Sequence, residues 1–258
     1  MAQPARLANS FRLEGRRALV TGANTGIGQG IAIALAEAGA EVIGVARSSM
    51  AETEALIRQV GGHCRSLKAD LGQADQRQAL IEQAAGAFGP LDILVNNAGI
   101  IRRADALEFS EQDWDEVMDL NLKAVFFLAQ SFAKHVLARG STGKIINIAS
   151  LLSFQGGIRV ASYTASKGGV AGITRLLACE WAAKGLNVNA IAPGYVVSNN
   201  TQALRADPDR NAAILARIPA GRWANPADIG GAAVFLASAA ADYIHGAILP
   251  VDGGWLAR

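Results

Sequence analysis

Residues 17–28 read RALVTGANTGIG and place a glycine-rich turn between a short β-branched run and a segment of helical period. Gly22, Gly26 and Gly28 permit a tight turn and a close approach of backbone to a ligand. The N–H groups and the positive dipole end of the following helix suit a pyrophosphate. The spacing departs from G-x-G-x-x-G, and such a turn can be a mere connection between strand and helix. Its position at the first strand-to-helix junction nevertheless favours dinucleotide binding.

Seven short β-branched runs alternate with longer helical segments from this turn to the end of the chain. The predicted strands are Arg17–Thr21, Glu41–Ala46, Cys64–Lys68, Leu91–Val95, Lys144–Ile148, Asn187–Ile191 and Ala247–Val251. The predicted helices are Gly28–Ala38, Ala51–Val60, Gln73–Phe88, Asp113–Ala138, Ser162–Ala183 and Pro226–Ser238. This alternation predicts an α/β fold, a Rossmann-type doubly wound seven-stranded parallel sheet with helices on both faces. We expect one domain over residues 1–258.

Two segments lie outside this alternation. Residues 1–14 have no apolar run long enough for a signal-peptide core, and we interpret them as a short N-terminal lead-in. Residues 193–225 form a long stretch rich in Asn, Arg and Pro, which we expect to be irregular. Because open α/β sheets bind ligands beyond the carboxyl ends of their strands, we predict that residues 193–225 are a substrate lid.

The composition excludes several classes of protein. With 51% hydrophobic and 18% charged residues, the chain can build a large core, unlike a disordered chain or a disulfide-rich miniprotein. Its 24 basic and 22 acidic residues are scattered, so no nucleic-acid partner is expected. The apolar stretch 229–241 is shorter than the roughly 18 residues of a membrane span, so no membrane partner is expected either.

The two cysteines give little support for a disulfide or a metal site. Cys64 and Cys179 are far apart in the sequence, and neither belongs to a C-x-x-C motif or has a histidine at ligand spacing. We therefore expect no metal. The simplest location for such a chain is the reducing cytoplasm.

Tyr163 and Lys167 form the strongest candidate for chemistry. Four residues apart on one predicted helix, their side chains lie on the same face. A free tyrosine has a pKa of about 10, and a nearby cation favours its phenolate. A tyrosine tuned in this way can donate the proton that a carbonyl oxygen needs when hydride reaches its carbon.

This pair is accompanied by other motifs along nearly the whole chain. They are T-G-x-x-x-G-x-G at Thr21–Gly28, Asp70-Leu71, Asn96-Asn97-Ala98-Gly99, Asn121, Ser150, and Pro193-Gly194. Together they resemble the motifs of the short-chain dehydrogenase/reductase family. The resemblance implies an NAD(P)-dependent oxidoreductase that acts on a secondary alcohol or a ketone, and a homotetramer.

The resemblance implies four catalytic residues: Asn121, Ser150, Tyr163 and Lys167. Ser150 would hydrogen-bond the substrate oxygen, although a serine after a strand can equally be a cap or turn residue. In the family, the asparagine at the position of Asn121 opens its helix locally and holds a water that relays protons to the lysine.

The implied cofactor is NAD or NADP. Its binding residues would be Gly22, Asn24, Thr25, Gly26, Ile27, Gly28, Arg47, Asp70, Leu71, Asn97, Ala98, Gly99, Tyr163, Lys167, Pro193, Gly194, Val196 and Ser198. Ala46 stands where NAD-binding proteins usually place an acid, and Arg47 follows it. Arg47 could hold a 2′-phosphate or be a solvated loop charge, so both cofactors stay open.

Three strings resemble, within the family, the dehydrogenases of keto-deoxy sugar acids: residues 101–110, 153–160 and 199–207. They imply a small sugar-acid substrate whose carboxylate needs a cation. Arg159 is the first candidate and Arg102 the second, although either arginine could be a solvated or ion-paired surface residue. Two alternatives remain, a 3-oxoacyl-[acyl-carrier-protein] reductase of the same fold and a catalytically idle dinucleotide-binding regulator.

Overall fold

A computed structural model describes residues 7–258. Residues 1–6 of the predicted lead-in lie outside the described residues. In the described part of the lead-in, Leu7–Phe11 form a short 3-10 helix, and Leu13 is buried in the core beside α1 (Gly26–Glu37). The lead-in therefore contributes to packing before the sheet begins.

Residues 7–258 contain seven strands in one parallel sheet. The strands are β1 (Arg17–Thr21), β2 (Glu41–Ala46), β3 (His63–Lys68), β4 (Ile93–Asn96), β5 (Gly143–Ile148), β6 (Leu186–Pro193) and β7 (Ile248–Val251). Their order is β3-β2-β1-β4-β5-β6-β7. The predicted fold class is confirmed, and the predicted strand bounds agree with the structure to within two residues.

The described residues also contain nine α-helices. Besides α1 they are α2 (Ala51–Gln59), α3 (Ala74–Phe88), α4 (Glu111–Met118), α5 (Ala124–Ala138), α6 (Ala161–Trp181), α7 (Gln202–Ala206), α8 (Pro208–Arg217) and α9 (Pro226–Ala237). One apolar core packs α1, α2 and α9 on one face of the sheet, and a second packs α3, α5 and α6 on the other. Within residues 7–258, no helix is long and apolar enough to cross a membrane.

The predicted helix Asp113–Ala138 is not continuous, and its interruption includes Asn121, where the family resemblance implies a local opening. A π-helical segment, Asp119–Lys123, separates α4 from α5. At its centre the buried Asn121 binds the loop after β4, since its Oδ1 accepts from the Ile100 N–H at 2.9 Å and its Nδ2 donates to the Ile100 carbonyl at 2.8 Å. The wide turn directs this amide across to a neighbouring loop, a use typical of π-bulges.

The segment 193–225 is not irregular, as the sequence analysis expected, because it contains α7 and α8. The Asp207 carboxylate accepts the N–H groups of Asp209 and Arg210, and Pro208 occupies the first turn, so α8 has a well-formed start. A β-bridge between Val196 and Ala224 joins the two ends of the segment. The predicted lid therefore contains two helices, and the β-bridge holds its two ends together.

Glycine at position 30 is required by the packing of α1 against α9. A Cβ at Gly30 would stand 2.6 Å from the backbone carbonyl of Pro226. We predict that Gly30→Ala lowers the free energy of unfolding by about 1–3 kcal/mol, measured by denaturant unfolding. Gly231→Ala on α9 is the control, since a Cβ there has no neighbour within 4 Å in the described chain. Equal stabilities of the two variants would contradict this account of the helix contact.

Candidate active site

The site begins where β1 and β4 end side by side. Thr21 Oγ1 accepts the backbone N–H groups of Asn97 at 2.9 Å and Ala98 at 3.0 Å. In return, Asn97 Nδ2 donates to the carbonyl oxygens of Thr21 at 2.9 Å and Gly22 at 3.1 Å. Because the strand order changes direction between β1 and β4, this joint lies at the switch point where doubly wound sheets open a binding crevice.

The glycine-rich turn leaves the start of α1 open to a ligand. Gly22 and Gly26 have φ values of +65° and +57°, which favour glycine. A Cβ at Gly28 would lie 2.2 Å from the Gly22 carbonyl oxygen, so the turn can fold this tightly only with glycine there. Within the described chain, Thr25 at the N-cap makes no side-chain capping bond, and the first N–H groups of α1 keep their capacity for phosphate oxygens.

A cavity of about 180 Å³ lies beside this turn, at the ends of β1, β2 and β4. Seven predicted cofactor residues line it: Gly22, Asn24, Arg47, Asp70, Leu71, Ala98 and Gly99. Arg47 is 68% exposed, and its Nη1 lies 4.0 Å from Asp70 Oδ2. The cavity and the open helix start together fit the adenosine and pyrophosphate of a dinucleotide.

The other predicted cofactor residues surround the turn at different depths. Thr25 is exposed, Ile27 is half-buried against the core, and a Cβ at Gly26 would lie 3.5 Å from Ser198 Cβ. Val196 is buried at the base of the predicted lid. The structure thus places Ser198 next to the glycine-rich turn, on the side that continues toward the substrate.

A second cavity, of about 500 Å³, contains the catalytic candidates Ser150 and Tyr163 together with Pro193 and Gly194. Ser150 follows β5 and caps a short 3-10 turn, since its Oγ accepts the Leu152 N–H at 3.2 Å. Tyr163 lies in the first turn of α6. Ser150 is therefore a capping residue that also lines the cavity, and its hydrogen bond to the substrate oxygen stays a prediction.

Burial acts on both members of the Tyr163 and Lys167 pair. It raises the pKa of Tyr163, while a hydrogen bond from Ser150 and the charge of Arg103 act in the opposite direction. Lys167 is buried, its Nζ donates to the Ile148 carbonyl at 2.6 Å, and burial lowers its pKa to about 8. The sequence predicts Lys167 as the cation that favours the phenolate, whereas in the structure the charge of Arg103 lowers the pKa of Tyr163.

Lys167 and Asn121 lie behind Tyr163 rather than in the open cavity. Lys167 Nζ is 5.6 Å from the centre of the Tyr163 ring. Asn121 connects the loop after β4 to α6, since its Nδ2 lies 3.5 Å from Ser166 Oγ. The proton relay that the resemblance implies for Asn121 stays a prediction.

Neither predicted substrate arginine reaches the cavity that residues 7–258 form. Arg159 Nε lies 3.4 Å from Asp105 Oδ1, and the left-handed backbone of Arg159 (φ +61°) accompanies this outward position. Arg102 is paired with Asp113 at 3.1 Å and Glu116 at 2.7 Å. Both residues are close to the motifs in sequence, but their guanidinium groups are neutralised by acids outside the cavity.

Three other arginines line the cavity: Arg103, Arg210 and Arg217. None of the three is among the substrate residues predicted from the sequence. Arg103 was adjacent to a named candidate, and the other two lie in the segment predicted to cover the site. A search of that segment for cations at helical spacing would have found Arg210 and Arg217.

The cysteines and potential metal ligands lie elsewhere. Cys64 and Cys179 are free thiols, and burial raises the pKa of Cys64 to about 11. In the part of the chain that the structure describes, no three His, Cys, Asp or Glu side chains come together as a metal-binding group.

Comparison with known proteins gives the family. A sequence profile described as enoyl-(acyl carrier protein) reductase matches residues 22–256. The solved structure of a short-chain type dehydrogenase/reductase from Mycobacterium marinum is 35% identical, with a TM-score of 0.92 and coverage of 98% of this chain and 100% of that chain. The chain belongs to the short-chain dehydrogenase/reductase family. The predicted family and class, an oxidoreductase that uses NAD or NADP, are confirmed.

Two relatives within the family are more similar. This short-chain dehydrogenase/reductase is 59% identical over 252 residues to 2-dehydro-3-deoxy-D-gluconate 5-dehydrogenase of Escherichia coli (strain K12), covering 98% of this chain and 100% of the relative. It is 66% identical to a candidate 2-deoxy-D-gluconate 3-dehydrogenase from Agrobacterium tumefaciens that was solved with bound NADP. That comparison has a TM-score of 0.93 and covers 97% of this chain and 100% of the other.

Replacing Tyr163 by Phe removes the phenolic O–H and keeps the ring that packs near Lys167. We predict that Tyr163→Phe lowers kcat by about 10²- to 10⁴-fold, the usual contribution of a positioned acid or base. The dissociation constant of NADPH, measured by fluorescence, should stay close to that of the wild type. Turnover at the wild-type rate would contradict the assignment of Tyr163.

The position of Arg159 gives a test of its predicted role as the carboxylate ligand. We predict that Arg159→Gly changes KM for a sugar acid by less than about twofold, because the guanidinium pairs with Asp105 and glycine accepts the left-handed backbone. Steady-state kinetics with saturating cofactor measures this. A tenfold rise in KM confined to charged substrates would restore Arg159 as the carboxylate ligand.

Proposed function

We propose that this short-chain dehydrogenase/reductase interconverts an alcohol and a ketone at C5 of the keto-deoxy sugar acid 2-dehydro-3-deoxy-D-gluconate, with NAD or NADP. The observation that carries this proposal is the cavity that contains Ser150 and Tyr163 and three arginines. Among its described lining residues there is no Asp or Glu, so the cavity suits a small anion. The names of the similar relatives supply the sugar acid, and oxidation of 2-deoxy-D-gluconate at C3 is the second candidate.

The chain's own residues perform the proton chemistry. The bound nicotinamide supplies or accepts the hydride at the reacting carbon. In the reducing direction Tyr163 donates its phenolic proton to the carbonyl oxygen, and burial keeps that proton in place at neutral pH because it raises the pKa. Ser150 donates a hydrogen bond to the same oxygen. In the oxidising direction Tyr163 accepts the alcohol proton, helped by the Arg103 charge, which favours the phenolate.

The cofactor-binding roles follow from the geometry of the turn. The N–H groups at the start of α1 would bind the pyrophosphate, and Asn97 would keep the turn at Gly22 in the shape that this requires. Arg47 would contact the 2′-phosphate of NADP. Lys167, buried behind Tyr163, would contact the nicotinamide ribose.

The two alternative functions make different demands on the same cavity. A 3-oxoacyl-[acyl-carrier-protein] reductase needs an apolar channel for an uncharged acyl chain, and three guanidinium groups disfavour such a channel. An idle regulator has no need of an acid beside a substrate cavity, whereas Ser150, Tyr163 and Lys167 are all present. The sugar-acid dehydrogenase is therefore the best supported of the three.

A substrate panel tests the proposal directly. The purified protein is assayed with NAD and NADP against 2-dehydro-3-deoxy-D-gluconate, 2-deoxy-D-gluconate, a neutral ketose and a 3-oxoacyl thioester. We expect the highest kcat/KM for the first acid, with the oxidised carbon identified by NMR of the product. A preference for the thioester would replace the proposal by the reductase, and no turnover of any compound would favour the regulator.

A cytoplasmic homotetramer with a lid at residues 193–225 is part of the same proposal. The family resemblance supports the tetramer, and the closed base between Val196 and Ala224 supports a lid. Sedimentation equilibrium at assay concentrations tests the tetramer, and fractionation of cells tests the location. Protection of segment 193–225 from hydrogen exchange by substrate tests the lid.

Arg47 should set the preference between the two cofactors. We predict that Arg47→Ala raises the dissociation constant of NADP by about tenfold or more, because only NADP offers a phosphate for a charge-assisted hydrogen bond. NAD, which lacks that phosphate, is the control and should bind with nearly unchanged affinity. Equal losses of affinity for both cofactors would make Arg47 a stacking or surface residue.

A further inference from the structure

One face of α8 contributes two arginines to the substrate cavity. Arg210, Ala213, Ile214 and Arg217 have the spacing i, i+3, i+4, i+7, and all four line the cavity. The two guanidinium groups therefore come from one helix face, two helical turns apart along α8. Ile214 is buried in a small core with Leu151, which fixes this face toward the site.

Arg217 is held in place by an aromatic platform. Its guanidinium carbon lies 4.0 Å from the centre of the Trp255 ring. Trp255 is 4% exposed, donates from Nε1 to Gln155 Oε1 at 3.2 Å, and packs against Tyr195 with ring centres 4.7 Å apart. A guanidinium stacked on a ring keeps its in-plane N–H groups free for a carboxylate. The contact with Trp255 thus restrains the side chain of Arg217, which is otherwise exposed.

Neither Arg210 nor Arg217 has an acidic partner within 4.0 Å in residues 7–258. This contrasts with Arg102 and Arg159, whose charges are balanced by neighbouring carboxylates. Two uncompensated cations on one wall of a cavity attract an anionic group of the substrate. A planar carboxylate matches the paired N–H groups of a guanidinium.

We propose that Arg217, with Arg210 in support, binds the carboxylate of the substrate and makes α8 the element that selects sugar acids over neutral sugars. The inference rests on the proposed function, in which the reacting carbon C5 is four carbons from the C1 carboxylate. Ser150 and Tyr163 bind the end of the substrate that contains the reacting carbon. The cation for the carboxylate end comes from a different element, α8. Arg103 acts at the reacting end of the substrate, because its charge lowers the pKa of Tyr163.

The test removes the charge from the enzyme and from the substrate in turn. Wild-type enzyme and Arg217→Gln are assayed with 2-dehydro-3-deoxy-D-gluconate and with its methyl ester, which keeps the reacting carbon and lacks the charge. We expect Arg217→Gln to raise KM for the acid by roughly 10- to 100-fold, the usual effect of losing a hydrogen bond to a charged group. KM for the ester should change by less than about twofold, and kcat should change little for either compound.

Three further variants separate charge recognition from folding. Arg210→Gln should raise KM for the acid in the same direction but by less than Arg217→Gln. Arg217→Lys, which keeps a charge and loses the planar fork, should fall between wild type and Arg217→Gln. Arg58→Gln is the charge-matched control, because Arg58 is exposed on α2 away from the cavity. Thermal unfolding and NADPH binding should be the same for all variants.

The outcomes distinguish the inference from the proposed function. If the wild-type enzyme does not turn over the acid, both the inference and the proposed function are wrong. This result is obtained before any variant is made. A wild-type enzyme that prefers the acid, with Arg217→Gln equally impaired on acid and ester, would show that Arg217 shapes α8 and does not bind the carboxylate. An unchanged KM for the acid in Arg217→Gln would likewise overturn the inference and leave the proposed function intact.

Discussion

The hydrogen bonds between the ends of β1 and β4 are the constraint on which the rest of the site depends. Thr21 Oγ1 accepts from two consecutive N–H groups after β4, and the Asn97 amide donates to two consecutive carbonyls at the end of β1. These bonds close the sheet at the point where its strand order changes direction. They also hold the glycine-rich turn so close to the Asn97 side chain that a Cβ at Gly28 has no room. The open start of α1, and with it the site for a pyrophosphate, follows from this joint.

A buried network of polar side chains connects β4 to α6, the helix that contains Tyr163. Asn96 Nδ2 donates to Asn147 Oδ1 at 2.9 Å, and Asn147 Nδ2 donates to Thr174 Oγ1 at 2.9 Å. All three side chains are buried, and these two hydrogen bonds favour a single arrangement, although Asn96 Oδ1 has no partner among the described residues. This network of side chains connects β4 and β5 to α6. Since β5 ends at Ser150 and α6 carries Tyr163, the same bonds set the relative position of the two residues that face the substrate.

The sequence predicts the central strands well because a buried parallel strand has a local signal, a run of apolar and β-branched residues that ends in a turn. The sequence predicts less where contacts between segments that are distant in the sequence determine the structure. The helix opening at Asn121, whose amide binds a loop 21 residues away, is implied by the family motifs and is not visible in the helical periodicity. The start of α8 was readable, since Asp207 before Pro208 is a helix-start signal, but the polar composition of the segment obscured it. Arg217 joins Tyr163 in one cavity only through the fold, whereas Arg159 is close in sequence and turns away.

The separation of the cavity's cations has a chemical consequence for the reaction. The Arg103 charge lowers the pKa of Tyr163 against the effect of burial, and this favours the phenolate that alcohol oxidation requires. A carboxylate bound at Arg103 would cancel that charge and leave the proton on Tyr163. The charges of Arg210 and Arg217 act instead on the pKa of Tyr195, which is not the proton donor. A carboxylate bound by α8 would neutralise these charges and would leave the Arg103 charge in place to favour the phenolate of Tyr163.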